Sequence, residues 1–213
     1  MTKRLRFAPL VLIATACAPT LRPLPPMMPL PEQPAESPSP PEPAPSLVAA
    51  AGPERWRDKD MEALRSRGLL VPVDGVDPTK ISDTFSAARD GARVHNAVDI
   101  MAKKGTPVLS ADDGTIIRVG TNGLGGNVIW AVDSDQRFVL YYAHLDRFRP
   151  GLREGQQVQR GEVIGYVGTT GNAPKDAPHL HFQLMRLLDY KRYSEGPPVN
   201  PLPFFSRLSG SLH

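Results

Sequence analysis

The chain has a single cysteine, Cys17, among 213 residues. One cysteine excludes any internal disulfide, so a folded domain here must be held by its core. Long apolar runs are missing as well. Residues 7–13 form an apolar stretch far shorter than the roughly 20 residues a membrane-spanning helix requires. No lysine occurs between Lys104 and Lys175. Residues 153–164 have the glycine and valine rhythm of biotinyl or lipoyl carriers, but such a carrier needs a lysine at an exposed hairpin tip, so that function is excluded. Charge of one sign is not in excess either. The 25 basic residues outnumber 22 acidic ones, yet Lys3, Arg4 and Arg6 lie in a stretch that reads as removable, and without them 22 basic residues face 22 acidic ones. A nucleic-acid partner therefore has no electrostatic support.

What is present divides the chain into segments. Residues 1–16 read as a targeting signal, with a positive start, a short apolar core and the small residues Ala14-Thr15-Ala16. Two readings of Cys17 follow. Either the chain is cleaved before it and lipidated there, as in bacterial lipoproteins, or Ala14 and Ala16 form a plain cleavage site and Cys17 is incidental. Ala14 stands where lipoprotein signals usually carry leucine, but a sole cysteine at this junction favours lipidation. Residues 17–52 are proline-rich, and such composition cannot bury enough apolar surface to fold. As an extended tether, some 35 residues at about 3.1 Å each would reach on the order of 100 Å; the segment reads equally as a linker of no required length. Residues 53–68 form a short helix, with Pro53 suited to its first turn, Gly68 to its stop, and Trp56, Met61 and Leu64 on one face. Residues 69–205 form the folded domain, and 206–213 a tail.

The texture of that domain is short β-rich runs: residues 106–111, 114–120, 127–132, 138–144, 157–167 and 179–185. Hairpin turns are expected at Asp113-Gly114 and at Asp133-Ser134-Asp135-Gln136. No helix of ten or more residues is evident after Leu69, so the expected class is mostly β, a compact antiparallel sheet. Gly123, Gly125 and Gly126 read as a tight turn, and residues 187–198 have no assignment.

Of five histidines, four fall in three clusters: His95-Asn96-Ala97-Val98-Asp99, Tyr142-Ala143-His144 and His179-Leu180-His181. His213, the last residue, carries no assigned role. Alternate side chains of a strand share a face, so His179 and His181 project together, about 7 Å apart. His95 and Asp99 are also an even number apart, and an extended segment would bring both to one face. Imidazole and carboxylate are zinc ligands, and a catalytic zinc site has three protein ligands; the clusters suffice for that with histidines to spare for proton transfer.

These motifs, together with Gly105-Thr106-Pro107-Val108, Asp113-Gly114, Gly155-Gln156-Gln157-Val158, Gly161, Ile164-Gly165 and Pro178-His179-Leu180-His181-Phe182, resemble the LytM/lysostaphin-type zinc metallopeptidases in order and interval. The resemblance runs from about Val71 to Phe205. It implies a zinc-dependent endopeptidase that cuts the peptide cross-links of bacterial peptidoglycan. Position by position, it implies His95, Asp99 and His181 as Zn2+ ligands, with His179 and His144 as the assisting catalytic histidines. His179 is expected to act as general base, and His144 to orient water or stabilise the carbonyl oxygen, although the two could share the base role. The bond cut, D-alanine to diaminopimelate or within a glycine bridge, is left open.

The implied setting is the cell envelope, periplasmic and anchored to the outer membrane through lipid on Cys17, with room for a regulatory envelope protein. The alternative function is a non-catalytic module of the same fold that recruits or activates another wall hydrolase. Further expectations concern the surroundings of the site. Tyr142 shares a face with His144 and either lines the groove or packs in the core. Residues 169–178 form a groove rim with Lys175 and Asp176 solvated. Asp112 and Asp113 are candidates for hydrogen-bonding a ligand histidine, and residues 53–73 could block the site.

Overall fold

The computed structural model describes residues 53–89 and 93–206, with side chains from residue 58 onward. The segment expected to be a targeting signal, the proline-rich stretch, Cys17 and His213 lie outside the described residues. Helix α1 (Pro53–Arg67) opens the described chain and ends at Gly68, whose φ of 65° is the left-handed stop that glycine adopts without steric cost. Thirteen strands follow: β1 (Leu69–Leu70), β2 (Ala88–Arg89), β3 (Arg93–Val94), β4 (Val98–Met101), β5 (Pro107–Leu109), β6 (Gly114–Asn122), β7 (Gly126–Asp133), β8 (Phe138–Phe148), β9 (Gln157–Val158), β10 (Val163–Val167), β11 (His179–Arg186), β12 (Pro198–Val199) and β13 (Phe205–Ser206).

Nine of these form one sheet, ordered β12-β11-β8-β7-β6-β9, with β4 on β11 and β10 joining β8 to β5. Every pairing within it is antiparallel. The expected class, a mostly β antiparallel domain, is therefore the observed one. Two-residue periodicity sorts its side chains. Ile129, Ala131, Leu140, Tyr142, Phe182 and Leu184 enter a core shared with Leu64 of α1 and with Phe204. Their neighbours Val128, Val139, Tyr141, Ala143 and Met185 form a second apolar cluster with Trp130 and Tyr193.

Several local expectations change. Residues 157–167 are not one strand: Gly161 has φ 85°, and the Glu162 N–H donates to the Gln159 carbonyl, so a turn separates β9 from β10. Asp113-Gly114 is not a hairpin turn, because β5 and β6 do not pair; Gly114 already lies in β6, where a Cβ would sit 2.2 Å from the Val132 carbonyl oxygen. Asp133–Gln136 does turn the chain, with the Asp133 carboxylate accepting from the N–H groups of Arg137 and Phe138. Residues 190–195, part of the unassigned stretch, form 3-10 helix that brings Tyr193 edge-on to Trp130.

β8 does not end at His144. That residue has φ 62°, and the strand runs on to Phe148. Opposite it, two residues of β7 (Asn127 to Ile129) span three of β8 (Leu145 to Tyr142), so β8 contains a bulge. Before the bulge Phe138, Leu140 and Tyr142 face the core; after it Leu145 does. The bulge thus sends His144 to the face already occupied by Tyr141 and Ala143. Its N–H donates to the Gly125 carbonyl at 2.7 Å, tying the bulge to the β6–β7 turn.

Candidate metal centre

β11 carries the centre. His181 pairs with Asp99 of β4 on one side and Ala143 of β8 on the other, and His179 lies two residues back on the same face. Directly opposed residues have Cβ atoms about 5 Å apart, so Asp99 and His181 are held within reach by register alone. His95 precedes β4. The stretch from 95 to 99 is not extended throughout, as expected above: Asn96 has φ 55°, a left-handed kink that turns the His95 ring back over β4.

Three atoms converge. His95 Nε2 is 3.0 Å from His181 Nδ1 and 3.1 Å from Asp99 Oδ1, and His181 Nδ1 is 3.1 Å from the same oxygen. Ligands about 2.0–2.2 Å from a tetrahedral zinc stand roughly 3.3 Å apart, so the triangle is about the right size for one ion. His179 Nε2 lies 3.7 Å from Asp99 Oδ1, and the His144 ring packs edge-on against those of His179 and His181.

Main-chain carbonyls fix which nitrogen faces inward. Nδ1 of His95 is 2.9 Å from the Thr84 oxygen, that of His144 is 2.9 Å from Thr170, and that of His179 is 2.8 Å from Ala177. A carbonyl only accepts, so in each neutral ring Nδ1 carries the proton and Nε2 presents a lone pair to the centre. His95 Nε2 and the Asp99 carboxylate thus point lone pairs at each other across 3.1 Å, an arrangement a cation between them relieves.

Electrostatics agree with the geometry. Burial pushes the Asp99 carboxyl up, but the His181 and His95 rings against one of its oxygens and the Arg89 guanidinium against the other outweigh it and hold it far below the usual carboxylate range. Arg89 Nη2 lies 2.7 Å from Asp99 Oδ2, the oxygen outside the triangle, and the Asp99 N–H donates to Thr84 Oγ1 at 3.0 Å. Burial lowers His181 against the pull of Asp99. Burial, with His181 and His179 nearby, pushes His144 down to about 4 despite its bond to Thr170. At neutral pH His144 is uncharged.

The cleft around these groups differs from expectation in its details. Tyr142 is a core residue, fully buried, its hydroxyl accepting from the Ala111 N–H at 3.0 Å. The groove tyrosine is Tyr141, whose ring stands edge-on to His181 with centroids 6.0 Å apart. Counting parity across the sheet from His181 through Ala143 would have found it; counting from His144 fails because of the bulge. Asp112 touches no histidine and pairs with Arg67 at 2.7 Å. Asp113 accepts from the Arg160 N–H instead. Residues 172–174 and Ala177 do line the cleft, and Lys175 and Asp176 are exposed as expected, with the Lys175 ammonium also donating to the Thr169 carbonyl. None of the residues 58–73 lines it, so no described side chain of that segment blocks the centre. The glycine turn, from Gly123 to Gly126, approaches the 169–178 loop so closely that a Cβ on Gly126 would lie 2.3 Å from Gly171 N; these two turns make one rim.

Against known proteins, the sequence pattern of Peptidase family M23 matches residues 93–201. Glycyl-glycine endopeptidase ALE-1 of Staphylococcus capitis is 39% identical over 111 residues, which is 52% of this chain and 28% of that protein. Peptidoglycan DD-endopeptidase ShyA of Vibrio cholerae is 28% identical over 153 residues, 70% of this chain and 32% of that protein. The chain therefore spans about a third or less of these relatives' own lengths. The solved catalytic domain of lysostaphin from Staphylococcus simulans superposes with a TM-score of 0.50 at 30% identity, covering 59% of this chain and 90% of that domain.

Proposed function

The chain belongs to peptidase family M23, whose matched relatives are endopeptidases of the cell wall, and on that premise we propose a zinc-dependent endopeptidase that hydrolyses peptide cross-links of bacterial peptidoglycan. The observation that carries this reading is the convergence of His95 Nε2, Asp99 Oδ1 and His181 Nδ1 within 3.1 Å of one another, with the lone pairs of His95 Nε2 and Asp99 facing each other. Two imidazoles and one carboxylate are a donor set of catalytic zinc sites. Zinc held there supplies Lewis acidity, which polarises a carbonyl and makes water acidic enough to attack at neutral pH.

The chain's own residues handle the protons. His179 Nε2, 3.7 Å from Asp99 Oδ1 and opposite the Nδ1 that faces the Ala177 carbonyl, accepts the proton of the attacking water as its oxygen bonds to the scissile carbonyl carbon. The same nitrogen returns that proton to the leaving amine when the C–N bond breaks. His144, neutral and with its Nδ1 proton bound to Thr170, has an acceptor facing the cleft; in that state it orients water and does not donate to a developing oxyanion.

The test is zinc content and peptide release from purified cross-linked peptidoglycan, with His181→Ala beside the parent. About one zinc per chain, and release that disappears in the variant, is the expected result. Bound zinc without release would favour the recruiting or activating module. We further propose, from the sequence of residues 1–17, an envelope location through lipid on Cys17; incorporation of labelled palmitate, lost in Cys17→Ser, checks it.

A further inference from the structure

Attack on a carbonyl carbon puts negative charge on its oxygen, and a donor already aimed at that oxygen is among the largest aids a site can supply. The histidine rings with assigned tautomers do not supply it. His95, His144 and His179 spend their Nδ1 protons on main-chain carbonyls and turn acceptors toward the cleft.

Tyr141 brings a donor to the same cleft. Its side chain leaves β8 on the face of Ala143 and His181. Two rings hold it: Trp130 packs against it with centroids 4.1 Å apart, and His181 stands edge-on at 6.0 Å. The hydroxyl reaches the β6–β7 turn, so close to Gly125 that a Cβ there would lie 2.2 Å from it. Glycine at 125 is what leaves it room. The carbonyl of the same Gly125 accepts from the His144 N–H, and both residues line the cleft. The hydroxyl therefore lies at the rim beside the bulge that presents His144.

Its hydrogen bonding is half used. Asn122 Nδ2 donates to the Tyr141 hydroxyl at 3.3 Å. The orientation of that amide is fixed, because Asn122 Oδ1 accepts from the Gly125 N–H at 2.6 Å. The phenolic oxygen is thus an acceptor toward Asn122, and its own proton has no acceptor among the described residues. A phenol keeps that proton at neutral pH. Tyr141 is only 8% exposed, and a donor shielded from water interacts more strongly with a charged oxygen.

We infer that the Tyr141 hydroxyl is a catalytic donor, hydrogen-bonding the oxygen of the scissile carbonyl as that oxygen gains charge, while Asn122 holds the hydroxyl in orientation. No proton changes hands in this contact. The assignment rests on the peptidase reading above and adds the donor that those three rings lack.

The experiment measures kcat and KM of the full-length protein on a synthetic cross-linked peptide dimer. Tyr141→Phe keeps the ring against Trp130 and removes only the hydroxyl. It should lower kcat about 100-fold, as loss of one such donor does, with KM nearly unchanged and zinc content equal to the parent's. Asn122→Asp is the sharper variant. One carboxylate oxygen still accepts from the Gly125 N–H, and the other now takes the Tyr141 proton. Its kcat should fall by a similar factor with the hydroxyl still present. Parental kcat in either variant, or a loss confined to KM, overturns the assignment and leaves the peptidase reading standing. If the parent cleaves nothing the peptidase reading fails, and calorimetric titration with a phosphinate peptide decides, since its tetrahedral oxygens imitate the charged carbonyl oxygen. Weaker binding by Tyr141→Phe than by the parent supports the donor, and equal binding overturns it.

Discussion

Two clusters of acidic and basic side chains are built on the same sheet, and they are opposites in how they are satisfied. At the foot of α1, Arg67 faces Asp112, Asp133 and Asp135 at 2.7, 2.5 and 2.9 Å, and Asp60 is held by Arg137 and Arg186. There every carboxylate has a permanent cation. At the β4–β11–β8 junction, His95, Asp99, His179 and His181 bring an oxygen and several nitrogens together with few protons among them. The first cluster is complete and fastens a helix. The second has surplus lone pairs and becomes complete only with something positive inside it. Composition alone does not separate the two; the count of protons against lone pairs does.

That contrast is open to test, and the largest effect should come from the second cluster. His181→Ala removes a vertex of the triangle, so stoichiometric zinc and peptide release should both fall to background while the urea midpoint of metal-free protein barely moves. His179→Ala should keep its zinc, by metal analysis, and lose about 10²–10⁴-fold in kcat, the range for a general base. Equal loss of zinc in both variants would erase the distinction between ligand and base.

The first cluster should respond in the other currency, stability. Arg67→Ala leaves the fully buried Asp133 carboxylate without its cation, and unpairing a buried charge costs about 3–5 kcal/mol. Urea unfolding should show that loss, with zinc per folded chain unchanged. A smaller effect separates the clusters by pH. His144 titrates at about 4 in the folded chain against 6.5 as the ordinary value, so the unfolded chain takes up a proton first as pH falls. Stability of the chelated protein should therefore drop below about pH 6.5, by about 2 kcal/mol between pH 7 and 5. Depression of Asp99 adds stability lost only lower, as pH falls below 3.8. His144→Gln should flatten the slope between pH 7 and 5.

The mostly β class was legible because glycine, aspartate and alternation punctuate the domain so regularly. The shared face of His179 and His181 was legible for the same reason: nothing interrupts period two in β11. What escaped were departures from that period. Gly161 broke an expected strand, and the left-handed residues Asn96 and His144 are not glycines, so only the weaker preference of asparagine and histidine for that region marks them. The bulge at His144 exchanged the roles of Tyr141 and Tyr142, since parity counted through it is inverted. The partner of Asp112 was hidden because Arg67 comes from a helix 45 positions earlier in the chain, and no local pattern links them.

Three backbone oxygens, of Thr84, Thr170 and Ala177, decide the tautomers of His95, His144 and His179. Each is a group that every amino acid possesses. The three tautomers are consequently indifferent to the side chains of these residues and sensitive to the path of the two loops that carry them. A substitution scan would score Ala177 as dispensable, and at Thr84 and Thr170 it would register only the hydroxyls, which bond Asp99 N and Asn127 N, and miss the carbonyls. Shortening either loop by a single residue would turn the nitrogens the wrong way round with every histidine still in place.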